Sequence, residues 1–235
     1  MYITILTTGS RGDIQPFVAL GSGLQSAGHQ VRIATHEPYR ELVQSRGLGF
    51  GPVGGDAREL LESGEGRRLL DSGGNPFTVF RELARMAEPL AVRAMRDAYE
   101  ATRDSDLLIT GTATFFGGEA LAEATGIPLV YGGLGPMAPT QQACSMLFPA
   151  LPSALGWAGP LGYHWLSHQL TLLAFTGLMR SPINRARETV LGLPPRGWTI
   201  SPRRFRDGPL FLYGYSQAVL PRPTDWSSTQ QVTGY

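Results

Sequence analysis

The sequence predicts an α/β fold, a Rossmann-like doubly wound sheet of parallel strands. Short runs of β-branched and aliphatic residues alternate with segments whose apolar residues recur at helical spacing. Glycine follows several of the helical segments, in the position where it commonly ends a helix. The run over residues 106–111 is apolar almost throughout, which is typical of a strand buried on both faces. Together these observations predict parallel strands connected by helices.

The first half of the chain alternates strand, helix, strand, helix and strand, as βαβαβ units do. The predicted elements cover residues 2–8, 14–27, 31–35, 38–46 and 49–53. The first helix carries Phe17, Leu20 and Leu24 at helical spacing. Gly28 and Gly47 follow the two helices and end them.

The second half continues the alternation around a long insertion. After a glycine-rich polar loop over residues 64–75, the predicted elements cover residues 76–102, 106–111, 116–125, 128–132 and 210–215. The insertion of about eighty residues before the last strand is rich in Pro, Gly, Trp and Leu, and insertions of this size commonly build a binding pocket. We predict one domain over residues 1–220, while residues 221–235 have the composition of an interdomain linker.

Composition excludes several classes of protein. A formal net charge of +1 with scattered arginines provides no basic surface for nucleic acid. All 20 basic residues are arginine, so a Schiff-base lysine or a phosphate-loop lysine is excluded. Cys144 is the only cysteine, which excludes an internal disulfide and a thiolate zinc site and favours a reducing, cytoplasmic location.

The most apolar stretch, residues 163–179, is too short and too polar to cross a bilayer comfortably. His164 and His168 lie four residues apart in it, a spacing that suits a metal. There is no third ligand and no H-E-x-x-H motif, so we predict core or surface histidines and no metal site. Peripheral membrane contact by this apolar segment stays open.

The stretch TTGSRGDIQP, residues 7–16, connects the first strand to the first helix. A glycine turn before a helix N-terminus binds anions by default, because unpaired N–H groups and the helix dipole point at it. The spacing here is Gly9-x-x-Gly12 instead of G-x-G-x-x-G, and Asp13 places a negative charge where a pyrophosphate would dock. The loop therefore argues against a dinucleotide.

Two roles stay open for Asp13. As an N-cap, its carboxylate would accept an N–H of the first turn, which is worth about 1 kcal/mol. As a catalytic base, it would point out of the turn toward a cleft.

Several stretches carry a family resemblance: TTGSRGDIQPFVALGSGLQSAGHQVRIATH, FGPVGGD, FFGGEALAEATGIPLV and LYGYSQAVLPRPTDW, with VTGY at the end. They resemble the N-terminal domain of glycosyltransferases of the sterol glucosyltransferase and glycopeptide or macrolide glycosyltransferase type. The combination of GSRGD-x-x-P with LPRPxDW is specific, and the resemblance runs over essentially the whole chain.

In that family two Rossmann-like domains face each other across a cleft, the arrangement called GT-B. The N-terminal domain holds the acceptor and the C-terminal domain holds the nucleotide-sugar donor. The resemblance implies an acceptor-binding domain of an inverting, metal-independent enzyme. Such an enzyme transfers a hexose such as glucose from a UDP-sugar to a hydroxyl of a lipid-like, sterol or polyketide-like acceptor.

By the same resemblance, the Asp of GSRGD, Asp13 here, is the general base that takes the proton of the acceptor hydroxyl. Ser10, Arg11 and Gly12 would shape its loop, with Arg11 either orienting Asp13 or forming an ion pair elsewhere. Related plant-type enzymes pair a His in this loop with an Asp after the fourth strand. The corresponding region here reads GTATFFGG and has no Asp. Asp13 must then act alone or with a partner from the donor domain.

We predict the acceptor pocket in the loops after the fourth and fifth strands and in the aromatic insertion, since open α/β sheets bind ligands at the carboxyl ends of their strands. The nominated residues are Thr112, Phe115, Phe116, Leu134, Met137, Trp157, Tyr163 and Trp165. Core packing is the alternative for each aromatic residue among them.

No segment of the sequence offers a nucleotide-sugar motif. We therefore expect no cofactor bound by this chain, weak or no binding of UDP-sugar, and no sugar transfer without a donor domain in cis or in trans. The alternative function is a non-catalytic module that holds a hydrophobic small molecule or assists a partner glycosyltransferase. A nucleotide-binding oxidoreductase domain is a third and weaker hypothesis.

Overall fold

The computed structural model describes residues 1–55, 64, 67–68, 76–152, 155, 157, 159–197, 205 and 208–234. Most of the glycine-rich loop predicted over residues 64–75 lies outside the described residues. The chain divides into two compact units. The first unit contains Met1–Leu129 and Leu178–Gly197, and the second contains Val130–Gly177 and Trp198–Tyr235.

Strands and helices alternate along the chain as predicted. The elements up to the fourth helix are β1 Tyr2–Leu6, α1 Arg11–Ser26, β2 Gln30–Thr35, α2 Arg40–Gln44, β3 Gly49–Pro52, α3 Pro76–Thr102, β4 Leu107–Thr110 and α4 Phe115–Thr125. They are followed by β5 Leu129–Gly133, α5 His164–Ala186, β6 Leu210–Tyr213 and β7 Gln230–Val232. A 3₁₀ turn over Glu37–Tyr39 precedes α2, and π-helical turns over Gly159–Tyr163 and Arg187–Leu191 flank α5.

The first unit is built on four parallel strands in the order β3-β2-β1-β4. Ile5 in β1 pairs with Ile33 in β2 on one side and with Ile109 in β4 on the other. Residues 3–7 are all buried. Because successive side chains of a strand point to opposite faces, this continuous burial means that both faces of β1 are covered.

Helix α1 begins three residues earlier than the apolar pattern predicts. Its buried residues Ile14, Phe17, Val18 and Gly21 form one face at helical spacing, and that face sets the predicted start at residue 14. The first turn is polar and follows the N-cap Ser10. Apolar periodicity cannot show such a turn, which only the capping residue marks.

In the second unit, β5, β6 and β7 pair in parallel in that order. The prediction that residues 210–215 form the last strand was wrong, because β7 follows it. The sequence of β7, QQV, has no apolar alternation. It is fixed instead by Gln230, which is 1% exposed, accepts a hydrogen bond from the Tyr213 hydroxyl (2.7 Å) and donates one to the Phe205 carbonyl (2.5 Å).

The segment predicted as a linker is packed within the second unit up to the end of the described residues. Trp226 is buried, and the Arg222 guanidinium donates hydrogen bonds to the carbonyls of Trp226, Ser227 and Gln230. The domain boundary at residue 220 stays a prediction.

Helix α5 coincides with most of the apolar stretch of the sequence. None of the described helices is long and apolar enough to cross a membrane. Within the second unit, α5 leaves Trp165, Leu166, Leu170 and Leu173 exposed.

Candidate functional site

A mostly apolar cleft opens in the first unit at the carboxyl ends of its four strands. One wall comes from the strand ends and the loops that follow them, and the other from α3, α4 and the last part of α5. The first wall contains Leu6, Thr8, His36, Val53, Gly54, Gly55, Ala113 and Thr114. The second contains Ala91, Ala94, Met95, Ala98, Gly117, Leu121 and Ile183. This edge of an open parallel sheet is where such folds bind their ligands.

Asp13 lies at the third position of α1, in the loop that also supplies Thr8 to the cleft. Its Oδ2 accepts hydrogen bonds from the Ser10 backbone N–H (2.8 Å) and from the Ser10 hydroxyl (2.7 Å). The second oxygen, Oδ1, accepts no hydrogen bond from the residues that the structure describes. The N-cap of α1 is thus Ser10 and not Asp13, which binds the N-cap residue from the third helical position with one oxygen and leaves the other available.

The loop holds this carboxylate against its own backbone. Gly9 has a φ of 123°, and a Cβ at that position would lie 2.7 Å from Asp13 Oδ2. The Thr7 hydroxyl donates to the Asp13 carbonyl (2.9 Å), and the Tyr39 hydroxyl donates to the Gly9 carbonyl (3.3 Å). Only glycine combines this φ with this close approach, which explains the sequence TGSRGD.

The other loop residues named from the sequence, Ser10, Arg11 and Gly12, are exposed. The Arg11 Nε donates to Gln15 Oε1 (3.1 Å) one turn further along α1, and the two predicted roles of Arg11 stay predictions. Ser10 is the residue that contacts and orients the Asp13 carboxylate. The predicted acceptor contacts of all three residues stay predictions.

The loop after β3 is fixed from two sides. The His36 imidazole is 4% exposed, and its Nδ1 lies 2.8 Å from the Val53 carbonyl oxygen. The Gly54 N–H donates to Asp97 Oδ2 on α3 (2.9 Å). These two bonds hold residues 53–55 in place along the cleft.

The loop after β4 contributes different residues to the cleft from those predicted. Ala113, Thr114 and Gly117 line the cleft. Thr112 is exposed, and Phe115 is 4% exposed and packs edge-on against Phe116. Roles of Thr112, Phe115 and Phe116 in acceptor binding stay predictions, but the structure places their neighbours at the cleft.

The remaining nominated residues belong to the second unit. Leu134, Met137 and Tyr163 are half-buried, with the Tyr163 hydroxyl donating to the Pro149 carbonyl (2.7 Å). Trp157 and Trp165 are 66% and 48% exposed. Their predicted contacts with an acceptor stay predictions.

The two histidines spaced four residues apart, His164 and His168, both contact backbone carbonyl oxygens. His164 Nδ1 lies 2.8 Å from the Gln141 carbonyl oxygen, and His168 Nε2 lies 3.1 Å from that of Ala143. Burial lowers the pKa of His168. Over the residues described, no group of three His, Cys, Asp or Glu side chains is arranged to hold a metal ion.

Sequence reasoning missed three parts of the cleft: His36, Gly117 and the small side chains of α3. Ala91, Ala94 and Ala98 share one face of α3, at spacings of three and four residues. Because these side chains are small, they leave room between α3 and the strand ends. His36 was detectable as a titratable residue directly after a predicted strand, whereas the alanine face could not be distinguished from core packing.

Comparison with known proteins identifies the family. Residues 3–130 match the glycosyltransferase family 28 N-terminal domain, and this match covers more than half of the chain. The chain belongs to that family. The predicted family resemblance is thereby confirmed.

Curated relatives align over the whole chain. A sterol 3-beta-glucosyltransferase of Cryptococcus neoformans is 34% identical over 235 residues, and one of Neurospora crassa is 33% identical over 236 residues. A UDP-sugar-dependent glycosyltransferase 52 of Dictyostelium discoideum is 32% identical over 99% of the chain. The chain spans only 14%, 14% and 13% of the length of these relatives.

Solved structures share the fold. The Streptomyces sp. SF2575 glycosyltransferase SsfS6, complexed with thymidine diphosphate, has a TM-score of 0.54 at 21% identity, and the calicheamicin glycosyltransferase CalG4 has a TM-score of 0.53 at 16% identity. Each match covers 99% of this chain and about half of the other, 52% and 51%. The predicted fold class, the Rossmann-like N-terminal half of a GT-B glycosyltransferase, is confirmed.

Proposed function

We propose that this chain is the acceptor-binding part of an inverting glycosyltransferase that transfers a hexose from a UDP-sugar to a hydroxyl of an apolar, sterol-like acceptor. The observation that carries the proposal is the open Oδ1 of Asp13 in the loop that also borders the apolar cleft. The donor sugar would bind a second domain, as about half of each matched glycosyltransferase lies outside the likeness.

Asp13 is the proposed general base. A hydroxyl that attacks an anomeric carbon becomes acidic as the new bond forms, so a carboxylate can accept its proton in the transition state. Ser10 fixes Oδ2 through two donors, which leaves Oδ1 in a defined direction for that proton. Attack from the face opposite the leaving diphosphate inverts the anomeric configuration.

The cleft is the proposed site of the acceptor's apolar body. Leucine, isoleucine, methionine and alanine side chains line most of it, and burying apolar surface there supplies about 25 cal/mol per Å². The scheme uses no metal if backbone N–H groups of the donor domain stabilise the leaving diphosphate. A sterol or another fused-ring aglycone satisfies these requirements, in keeping with the names of the curated relatives.

Substitution of Asp13 by Asn tests the base. An Asn side chain can keep its oxygen toward Ser10, so the helix start should persist while the open position receives an amide that cannot accept the proton. We expect kcat in the full-length gene product to fall by about 100-fold or more, with an unchanged unfolding midpoint. Ser10→Ala, which removes one donor to Oδ2 and keeps the carboxylate, should retain most of the activity. Near-normal turnover of Asp13→Asn would contradict the assignment.

A further inference from the structure

His36 is the one titratable side chain among the described residues that line the cleft. It follows β2 directly, is 4% exposed, and lines the cleft between the loops after β1 and β3. The residue has no part in the proposed proton transfer, because the proposed base is Asp13.

The hydrogen bond to Val53 fixes how the neutral ring is protonated. A carbonyl oxygen can only accept, so the proton of the neutral imidazole resides on Nδ1 and is donated to Val53. Nε2, on the other edge of the ring, is then a hydrogen-bond acceptor. Within the part of the chain that the structure describes, no N–H or O–H group donates to it.

Few other polar side chains line the described part of the cleft. Besides His36, the polar side chains of the cleft are Thr8 and Thr114. The Thr114 hydroxyl donates a hydrogen bond to the Leu6 carbonyl oxygen (2.8 Å). The rest of the lining is aliphatic, methionine or glycine, so Nε2 is a hydrogen-bond acceptor within a largely apolar lining.

We infer that Nε2 of His36 accepts a hydrogen bond from a second hydroxyl of the acceptor, one distinct from the hydroxyl that Asp13 deprotonates. His36 would then be a specificity-determining residue that selects polyhydroxylated apolar compounds over compounds with one hydroxyl. The two roles require two hydroxyls, because a single O–H cannot donate its proton to both groups at once. The inference rests on the proposed function, since it assumes that the cleft holds the acceptor.

His36→Asn keeps the hydrogen-bonding role of Nδ1 and removes that of Nε2. The Asn amide can reproduce the Nδ1–H donor to Val53 but has no group in the place of Nε2. The cleft should therefore keep its loop geometry and lose only the acceptor. His29→Asn is the matched control, because His29 precedes β2 and lies at the amino end of the strands, away from the cleft. Thr8→Val removes the other open polar side chain of the cleft.

The probes are cholesterol and three cholesterol derivatives with a second hydroxyl, on ring B, on the angular methyl group or on the side chain. They are delivered from cyclodextrin, and affinities for the purified 235-residue chain come from competition with fluorescent dehydroergosterol. For each sterol, the affinity of wild type is divided by that of the variant. This ratio removes differences between the sterols that have nothing to do with the substituted residue.

For His36→Asn we expect a ratio near one with cholesterol and of about ten with at least one dihydroxylated sterol. His29→Asn should give ratios near one throughout. Equal ratios for all four sterols in His36→Asn would overturn the inference alone, as would a selective loss that appears in Thr8→Val and not in His36→Asn. If wild type binds none of the four, the sterol-like acceptor of the proposed function fails, and the inference fails with it.

Discussion

At the scale of single residues, the loop that contains Asp13 holds its carboxylate in a defined position. Ser10 donates twice to Oδ2, while Gly9 allows that oxygen to lie against the backbone. The same carboxylate that completes the helix start can therefore also act as a base, since the two oxygens have different surroundings. Capping and catalysis compete for a carboxylate only if they need the same oxygen.

Gly9→Ala should destabilise the chain and displace Asp13. The new Cβ would meet a φ of 123° and a carboxylate oxygen at 2.7 Å, so we expect a loss of about 1–3 kcal/mol in the free energy of unfolding, measured with urea. Gly28→Ala is the control, because Gly28 also has a positive φ, 88°, but a Cβ added there would meet no described atom within 4 Å. A loss no larger than that of Gly28→Ala would show that the contact with Asp13 does not matter.

At the scale of elements, an ion network ties residues 187–196 to α4 in the first unit. The Arg187 guanidinium donates to both oxygens of Glu123 at 3.0 Å, and Arg196 donates to Glu123 (2.8 Å) and to Glu119. The Arg187 side chain is only 2% exposed. Removing its partner would leave a buried charge uncompensated, which is far more costly than the loss of a surface pair.

Glu123→Gln should therefore lower the unfolding temperature at neutral pH, and the difference should depend on pH. Hydrogen bonds from Arg187, with a smaller contribution from Arg196, lower the pKa of Glu123 from 4.5 to about 2. Since the folded pKa lies below the ordinary value, the stabilisation is complete above about pH 4.5 and is lost as the pH falls toward 2.

Thermal unfolding of wild type and variant from pH 7 to pH 2.5 measures this loss. The control is Glu100→Gln, which breaks an exposed pair with Arg103 and should change little at any pH. A Glu123→Gln difference that stays constant down to pH 2.5 would contradict the role of this carboxylate.

Gly117 on helix α4 also determines how much of the cleft volume is free. A Cβ on Gly117 would meet only the Met95 methyl group, at 4.0 Å, so a larger side chain would enter the cleft without a clash of the backbone. We expect Gly117→Leu to keep or raise stability, because leucine favours a helix over glycine by about 0.8 kcal/mol. We expect the same substitution to weaken sterol binding at least about tenfold, because the new side chain fills part of the cleft.

Gly23→Leu is the matched control for the cleft substitution. Gly23 lies in the exposed face of α1 with no described atom within 4 Å of its Cβ position. It gains the same helix propensity and should leave sterol binding unchanged. Unaltered binding by Gly117→Leu, measured by the same competition with dehydroergosterol, would exclude this cleft as the acceptor site.

At the scale of the whole molecule, the chain has the fold of the N-terminal half of a GT-B glycosyltransferase. It corresponds to about half of each matched glycosyltransferase, and its family is that of the N-terminal domain. We expect the purified 235-residue chain to bind a sterol-like acceptor but to release no UDP and form no glucoside from UDP-glucose. Chromatographic detection of a glucoside above the level of Asp13→Asn would contradict this expectation.

Much of the fold follows from sequence pattern. The helix predicted over residues 76–102 has those bounds in the structure, and the first four strands lie within one residue of their predicted starts. Long amphipathic helices and continuous apolar runs are reliable because burial sets their period. β7 was not predicted because its position depends on contacts of Gln230 with Tyr213 and Phe205, which lie far away in the sequence. A local sequence pattern does not show such contacts.

The sequence by itself determined the parallel α/β fold and the family, since these depend on local periodicity and on a distinctive run of residues. Only the tertiary structure decided which oxygen of Asp13 is open, that Ser10 orients it, and that His36 borders an apolar cleft. The physical reason is that a cleft is formed by residues far apart in the chain. Strand ends and the small side chains of α3 become neighbours only when the sheet and helices have packed.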